Sequence, residues 1–443
     1  MYSYSVSANI VVPDRGQAIH VTLARMAYLS LCLFVAVLPW GEGYAVKGGF
    51  ALISWTGTLA FGLAALRTIV VGRIRRPSLL HYGMLAFVAW LSTSFLWTAD
   101  PESTATRVGT FVQLLALVWL IWELVVTDSL VRGVLLAYVT GSLVASAITI
   151  GNYVIRRTAA AIALNRGIET WETSRYSVSG LNENDLGLML AISLPMTFYL
   201  LVVSSRPIVK LVCWAQLTAS VVAILLSASR GAFTSAIAGM LMLPLIQPIL
   251  NRRQRYATLL PFAAMVVGAV AFVPETSWNR ILQFGSQLVE GTLTHRTVIW
   301  AAGFETLRDH AFFGVGAGAY GTSILRIVDI PYVAHNTFLS VLVELGIVGA
   351  LLWCGLIAGI VYSVTRMPYL ERCLWLVVLM TWTIGVSALT WEYRKPTWLV
   401  FGLIIAHEYS RRMEEKSRTY AVRRSLQNLI SGRHQHLGRG MEG

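Results

Sequence analysis

Apolar runs of membrane length alternate with short polar connections along almost the whole chain. A helix crossing a bilayer needs about 20 mostly apolar residues. About twelve stretches meet that pattern: 23–40, 48–71, 79–97, 109–126, 130–154, 186–204, 209–227, 231–250, 256–273, 335–363, 370–390 and 396–410. The last is the shortest. Between the seventh and eighth, Ser227-Ala-Ser-Arg-Gly231 interrupts the apolar run and predicts a tight turn where one long helix could otherwise be read. The expected fold is all-α, a polytopic membrane protein with about 12 transmembrane helices.

One polar stretch breaks the rhythm. Pro274 to Asn336 runs for roughly sixty residues, where most connections are far shorter. Inside it, Thr292 to His310 reads as a helix with Val298, Ile299, Phe304 and Leu307 as its apolar positions. A layer of short helices lying on the membrane face is expected there. Gly316-Ala-Gly318-Ala-Tyr-Gly321 matches G-x-G-x-x-G, but no strand precedes it, so a dinucleotide site is not predicted. A tight loop is expected instead, with backbone amides able to approach a substrate. A second, shorter loop spans Arg156 to Asp185. Residues 1–410, with loops 155–185 and 274–334, then read as a single transmembrane domain, and 411–443 as a basic tail. In the tail, Val422, Leu426, Leu429 and Ile430 are spaced for an amphipathic surface helix, and a solvated tail fits equally well.

Composition agrees. The chain is 56% hydrophobic and 13% charged, where soluble proteins carry about 25% charged residues. Its net charge of +13 invites a nucleic-acid reading, which topology makes unnecessary. With the N-terminus inside, Arg73, Arg75, Arg76, Arg206, Lys210, Arg252, Arg253, Arg255, Arg366, Arg372 and the tail all fall on the cytoplasmic side. The two long loops then face outward, and basic and acidic residues balance there. Both termini are expected in the cytoplasm and no nucleic-acid partner is expected. The first apolar run follows some twenty mixed residues and reads as a span, not a cleaved signal. Cys32, Cys213, Cys354 and Cys373 lie in or beside apolar runs and read as packing residues.

Candidate chemistry collects on the outer side. Nearly every basic residue there is arginine, whose planar guanidinium binds phosphate oxygens in pairs and stays charged beside a low-dielectric surface. Arg230, at the mouth of two spans, and Arg296 fit a lipid-linked phosphate or pyrophosphate. Contact with lipid headgroups is the plainer alternative. For Arg280, Arg308 and Arg326 that plainer reading is preferred. His335 opens a span beside Asn336, where a neutral imidazole can take a proton from a hydroxyl. Glu344 lies about nine residues further on, two and a half turns away, and so faces elsewhere as a packing residue or an indirect partner. Asn182 and Asn184 precede a span, as a helix cap or as sugar ligands. No H-E-x-x-H, Cys-x-x-Cys or outer Asp-x-Asp occurs, so neither metal nor cofactor is expected.

Four stretches, in this order and on one side, carry a family resemblance. They are Ser179-Gly-Leu-Asn-Glu-Asn184, Ser229-Arg230-Gly231, Arg296-Thr-Val-Ile-Trp300 with Gly314-Val-Gly316, and His335-Asn336-Thr-Phe-Leu339 with Glu344-Leu-Gly346. The chain resembles the O-antigen ligase and polymerase superfamily of bacterial membrane glycosyltransferases. The resemblance implies a GT-C-like, metal-independent, inverting enzyme of the inner membrane with its site on the periplasmic side. The donor would be a glycan on undecaprenyl pyrophosphate. The acceptor would be a sugar hydroxyl on lipid A-core for a ligase, or on another lipid-linked glycan for a polymerase. It implies catalytic roles for His335, Arg230 and Arg296, and substrate contacts from Asn336, Asn184, Asn182, Glu344 and Trp300. Ligase is the leading expectation, polymerase the alternative. A lipid-glycan flippase is the rival of another class, which needs ionisable residues or broken helices deep in the spans.

Overall fold

The computed structural model describes residues 15–43, 52–166, 175–282 and 296–438. Helices make up all the regular structure among them. Ten are long and apolar enough to cross a membrane: Leu52–Val71, Leu79–Leu96, Pro101–Leu124, Asp128–Ala163, Glu183–Val203, Pro207–Leu226, Arg230–Ile249, Arg252–Phe272, Thr337–Thr365 and Tyr369–Val386. The first and last expected spans are also helical. The first is α1 (Arg15–Val37), whose apolar part is the shorter Val21–Val37. The last opens α16 (Lys395–Gly438). Trp398, Leu399, Phe401, Leu403 and Ile404 of α16 are fully buried, so this stretch needs no lipid-facing residues and its apolar run is short. The same helix runs on without a break into the basic tail.

The remaining elements are α2 (Leu52–Val71), α3 (Leu79–Thr93), α4 (Pro101–Leu124), α5 (Asp128–Asn165), α6 (Glu183–Val203), α7 (Pro207–Leu226) and α8 (Arg230–Met240). There follow α9 (Met242–Ile246), α10 (Arg252–Phe272), α11 (Glu275–Leu282), α12 (Arg296–Asp309), α13 (Tyr320–Val328), α14 (Thr337–Thr365) and α15 (Tyr369–Val386). Helix α6 is the axis of the bundle, packed by α5, α7, α8 and α15. Its span is 89% buried against 11% for α10, so α6 is interior and α10 peripheral. That explains why α6 is apolar on every face.

Several boundaries depart from expectation: α1 and α4 each begin eight residues early, at Arg15 and Pro101, and two further departures have a local cause. Helix α5 runs to Asn165, well past residue 154, because Thr158-Ala-Ala-Ala-Ile-Ala-Leu164 continues it with strong helix formers. The span expected over 231–250 is segmented. Helix α8 ends at Met240, α9 covers Met242–Ile246, and a 3₁₀ turn covers Gln247–Ile249. Pro244 and Pro248 each remove a backbone donor there.

The large polar loop is helical, as expected, but packs by another face. Helix α12 begins at Arg296; residues 292–295 lie outside the described residues. Ile299, Ala302 and Gly303 are its buried positions, while Val298 and Phe304 are half exposed. A Cβ at Gly303 would sit 2.4 Å from the Tyr320 hydroxyl, so the small residues let α13 approach closely. Ile299, Ala302, Tyr320 and Ile324 join Leu339 and Val343 of α14 in a small core of their own. The loop is thereby fastened to the start of α14.

Helix α14 is broken at Gly346, which has φ 67° and ψ −170°. The break frees carbonyls one turn earlier, and protein groups take them up. Val315 N–H donates to Val343 O (3.0 Å), Gly316 N–H to Glu344 O (2.9 Å), and the Trp90 indole to Leu345 O (3.0 Å). Ile347 N–H in turn donates to Ala311 O (2.8 Å). The glycine loop can lie this close because Gly314, Gly316 and Gly318 all take positive φ. The amides of Val315, Gly316 and Gly318 are spent on α14, that of Ala317 on the Ser94 hydroxyl and that of Ala319 on Gly316 O, against the expectation that they approach a substrate.

Candidate active site

A cleft of about 560 Å³ opens at one end of the bundle. Arg175, Arg230, Arg280, Arg296 and His335 all line it, and no carboxylate does among the described residues. Three separate segments of the sequence thus bring four guanidiniums and one imidazole to one space.

Each is set by local structure. Ser227-Ala-Ser229 forms the expected turn, with Ala228 at φ 47°. The Ser229 hydroxyl accepts Ala232 N–H (3.3 Å) and caps α8, so Arg230 becomes the first residue of that helix and sits at the cleft. Arg296 likewise opens α12, and Arg280 closes α11. Arg175 is held from both sides. Its Nη2 donates to Asn184 Oδ1 (2.8 Å), Nη1 lies 3.4 Å from the Glu183 carboxylate, and Nε donates to Ser227 O (3.3 Å).

His335 is fixed by its neighbours. The Trp300 indole donates to Ala334 O (2.8 Å), and Asn336 Oδ1 accepts Leu339 N–H (3.0 Å) to cap α14. Between these anchors His335 takes φ 48°. Ala228 and His335 are two of the three non-glycine residues with positive φ among the described residues, and both line this cleft. Such conformations cost of order 1–3 kcal/mol each and persist where surrounding structure forces them.

Electrostatics follow from crowding. Burial, and then the nearby Arg296 charge, push the His335 imidazole below its ordinary value, with Asp185 acting the other way. It is neutral at neutral pH and can accept a proton. Burial, followed by the Arg230 charge, lowers Arg296. Arg175 is lowered by burial, offset by Glu183 and reinforced by Arg280 and Arg230. Guanidiniums stay charged regardless, so the cleft carries a concentrated positive field.

Asn184 lines this cleft, whereas Asn182 caps α6 by accepting Asn184 N–H (2.9 Å). Asn336 and Trp300 hold the backbone on either side of His335. Glu344 is buried elsewhere, with Oε2 accepting Gly318 N–H (2.7 Å) and Oε1 within 3.4 Å of the Ser340 hydroxyl. Arg308 and Arg326 do not line the cleft. Arg280 does, against expectation, and so does Arg175, which drew no notice in the sequence. Its position shortly before the Asn182–Asn184 cap was the available signal. Asp185 was also passed over: it accepts from the Trp391 indole (2.7 Å) and pairs with Arg394 (2.9 Å), fastening the start of α6 to the α15–α16 connection.

A second charged cluster lies at the other end of α15. His407 Nδ1 accepts from the Trp375 indole (2.9 Å), which leaves Nε2 to donate to Asp128 Oδ1 (2.9 Å). Arg411 joins Asp128 (3.2 Å) to Glu371. Asp128, Glu371 and His407 have the proximity of metal ligands, but these partners already occupy them.

Residues 215–354 match a family model described as O-antigen ligase. No curated protein matches the chain. The matched stretch contains Arg230, Arg280, Arg296 and His335 and leaves out Arg175 and Asn184. The resemblance to the O-antigen ligase superfamily is borne out over residues 215–354, the part of the chain that supplies most of the arginine cleft and its histidine.

Proposed function

We propose that the chain transfers a glycan from undecaprenyl pyrophosphate to a sugar hydroxyl of lipid A-core, with inversion and without a metal. The observation that carries this is the lining of one cleft by four arginines and a histidine with no carboxylate among the described residues. Such a surface suits a pyrophosphate and offers a divalent cation no oxygen cage. Arg230 and Arg296, with Arg175 and Arg280, hold the pyrophosphate and stabilise the charge that grows on it as it leaves. The acceptor oxygen attacks the anomeric carbon from the opposite face. The carbon–oxygen bond to pyrophosphate breaks and its electron pair stays with the phosphate oxygen. His335 takes the hydroxyl proton and later releases it to water or to the departing phosphate. The excess of Lys and Arg at the opposite end of the bundle supports a periplasmic cleft in the inner membrane and cytoplasmic termini.

A flippase reading would draw on the broken helix at Gly346, the segmented span over 230–249 and the buried Glu344. The carbonyls freed at Gly346 are taken up by Val315, Gly316 and Trp90, and Glu344 by Gly318 N–H and the Ser340 hydroxyl. That favours transfer.

The test is a reconstituted assay with purified protein, an undecaprenyl-pyrophosphate glycan and lipid A-core in chelator. Glycan on the lipid core, lost in His335→Ala, is expected. Longer chains on the undecaprenyl carrier would replace ligase by polymerase. No transfer to either acceptor, together with passage of the lipid-linked glycan across vesicles, would overturn the reading.

A further inference from the structure

A second cleft of about 420 Å³ opens at the same end of the bundle. It is lined by Asp100, Glu102, Thr106, Arg107, Thr110 and Tyr393, among others. The α15–α16 connection joins the two spaces: Ser387 and Ala388 line the arginine cleft and Tyr393 lines this one. Five residues of chain span at most about 18 Å, so the two linings come at least that close.

Their chemistry is opposite. The arginine cleft has no carboxylate in its lining among the described residues, whereas this one has two and a single guanidinium. Asp100 is tied down by Ser103 N–H (3.0 Å) and the Thr322 hydroxyl (2.7 Å). Glu102 is exposed. Arg107 stacks on the Tyr393 ring, 3.5 Å from its centroid, and leaves a buried Nη1 with no hydrogen-bond partner. Behind it lie the buried carboxyl groups of Glu344 and Glu392, joined through the Ser340 hydroxyl (3.4 and 3.1 Å). Glu392 Oε2 also lacks a hydrogen-bond partner among the described residues. A donor without an acceptor is unfavourable, and a ligand hydroxyl beside the guanidinium offers one. A pyrophosphate would meet the rim carboxylates and be repelled. A neutral, hydroxyl-rich ligand meets acceptors at Asp100 and Glu102, hydroxyls at Thr106 and Thr110, and a donor at Arg107.

We infer that this second cleft binds the acceptor saccharide through uncharged hydroxyl-bearing rings, so that its attacking hydroxyl reaches His335 across the Ser387–Tyr393 connection. The inference rests on the transfer reading above. Donor and acceptor are then sorted by charge, each repelled from the other's seat.

The experiment measures binding, so it does not depend on turnover. Dephosphorylated core oligosaccharide, freed from lipid A, is titrated into the full chain in nanodiscs. The comparison is between wild type, the exposed double variant Glu102→Gln/Thr106→Ala, and Arg230→Ala. The double variant is expected to bind the saccharide about tenfold more weakly, the loss of one or two hydrogen bonds. It should bind an undecaprenyl-pyrophosphate glycan as wild type does. Arg230→Ala should show the reverse. Equal saccharide affinity in wild type and double variant overturns the inference and leaves the donor reading intact. Saccharide binding lost in Arg230→Ala alone would move the acceptor into the arginine cleft. Normal donor binding by Arg230→Ala would instead count against the proposed function.

Discussion

Two charged clusters sit at opposite ends of α15, about 24 Å apart along its axis between Glu371 and Ser387. Both use arginine and histidine. At the Glu371 end, His407 has a partner at each ring nitrogen, and Arg411 satisfies two buried carboxylates. At the Ser387 end, four arginines face one space that contains no carboxylate among the described residues. At the first cluster the charges close on carboxylates within it, while at the second four guanidiniums line one space, with the Glu183 partner of Arg175 outside that lining. The same residue types serve structure where opposite charges are matched in one cluster, and suit an anionic ligand where one sign of charge is gathered around a cleft.

The comparison can be broken at its closed end first. Arg411→Ala leaves Asp128 and Glu371 buried beside each other. Stability in detergent should fall toward the lower end of about 3–5 kcal/mol, because Arg411 is itself 25% exposed. Transfer per folded molecule should stay near wild type. A large loss of turnover without a lower unfolding midpoint would erase the distinction. At the open end the signs reverse. Arg230→Ala or Arg296→Ala should slow transfer about 100- to 1000-fold. The unfolding midpoint should hold or rise, since each substitution relieves repulsion in the cleft. Full activity in both would remove the pyrophosphate assignment.

A smaller effect sharpens the contrast through pH. His335 works as a base only when neutral, and burial and Arg296 hold its affinity for protons below the ordinary value near 6.5. Transfer should therefore fall only on acidification below about 6.5. In Arg296→Gln the residual rate should fall at a higher pH, because a nearby positive charge is gone. An acid limb that does not move would mean that His335 orients the acceptor without taking its proton. The smallest effect belongs to a residue first read as a sugar ligand or cap. Asn182→Ala should cost about 1 kcal/mol of stability, as loss of a helix cap does, with little change in acceptor KM.

The membrane helices were legible because hydrocarbon imposes one rule on every segment that crosses it. The rule fails at the margins. The alanine-rich end of α5 is helical without being lipid-length, and α8 is cut by prolines inside an apolar run. Arg230, Arg296 and His335 were legible because each stands at the edge of a span or a helix, where polarity changes abruptly. Arg175 and Arg280 were not, since their loops reveal nothing of where they fold back. The buried group of Arg107, Glu344 and Glu392 was equally hidden. Its members are drawn from α4, α14 and the last connection, and only the folded chain brings them together. Gly346 gave no warning either, as glycine is common in transmembrane helices and usually leaves them intact.

That break has a consequence for how the protein is made. A helix with bare carbonyls is a poor guest in hydrocarbon. The groups that cover Val343, Glu344 and Leu345 come from Val315, Gly316 and Trp90, all synthesised before α14. The seal is thus already in hand when the broken helix arrives at the bilayer. The docking that buries those carbonyls also sets Ala334 and His335 against the cleft through the small core shared with α12 and α13. Completion of the site and lodging of α14 in the membrane become a single step, so a chain that fails to seal the break would have neither.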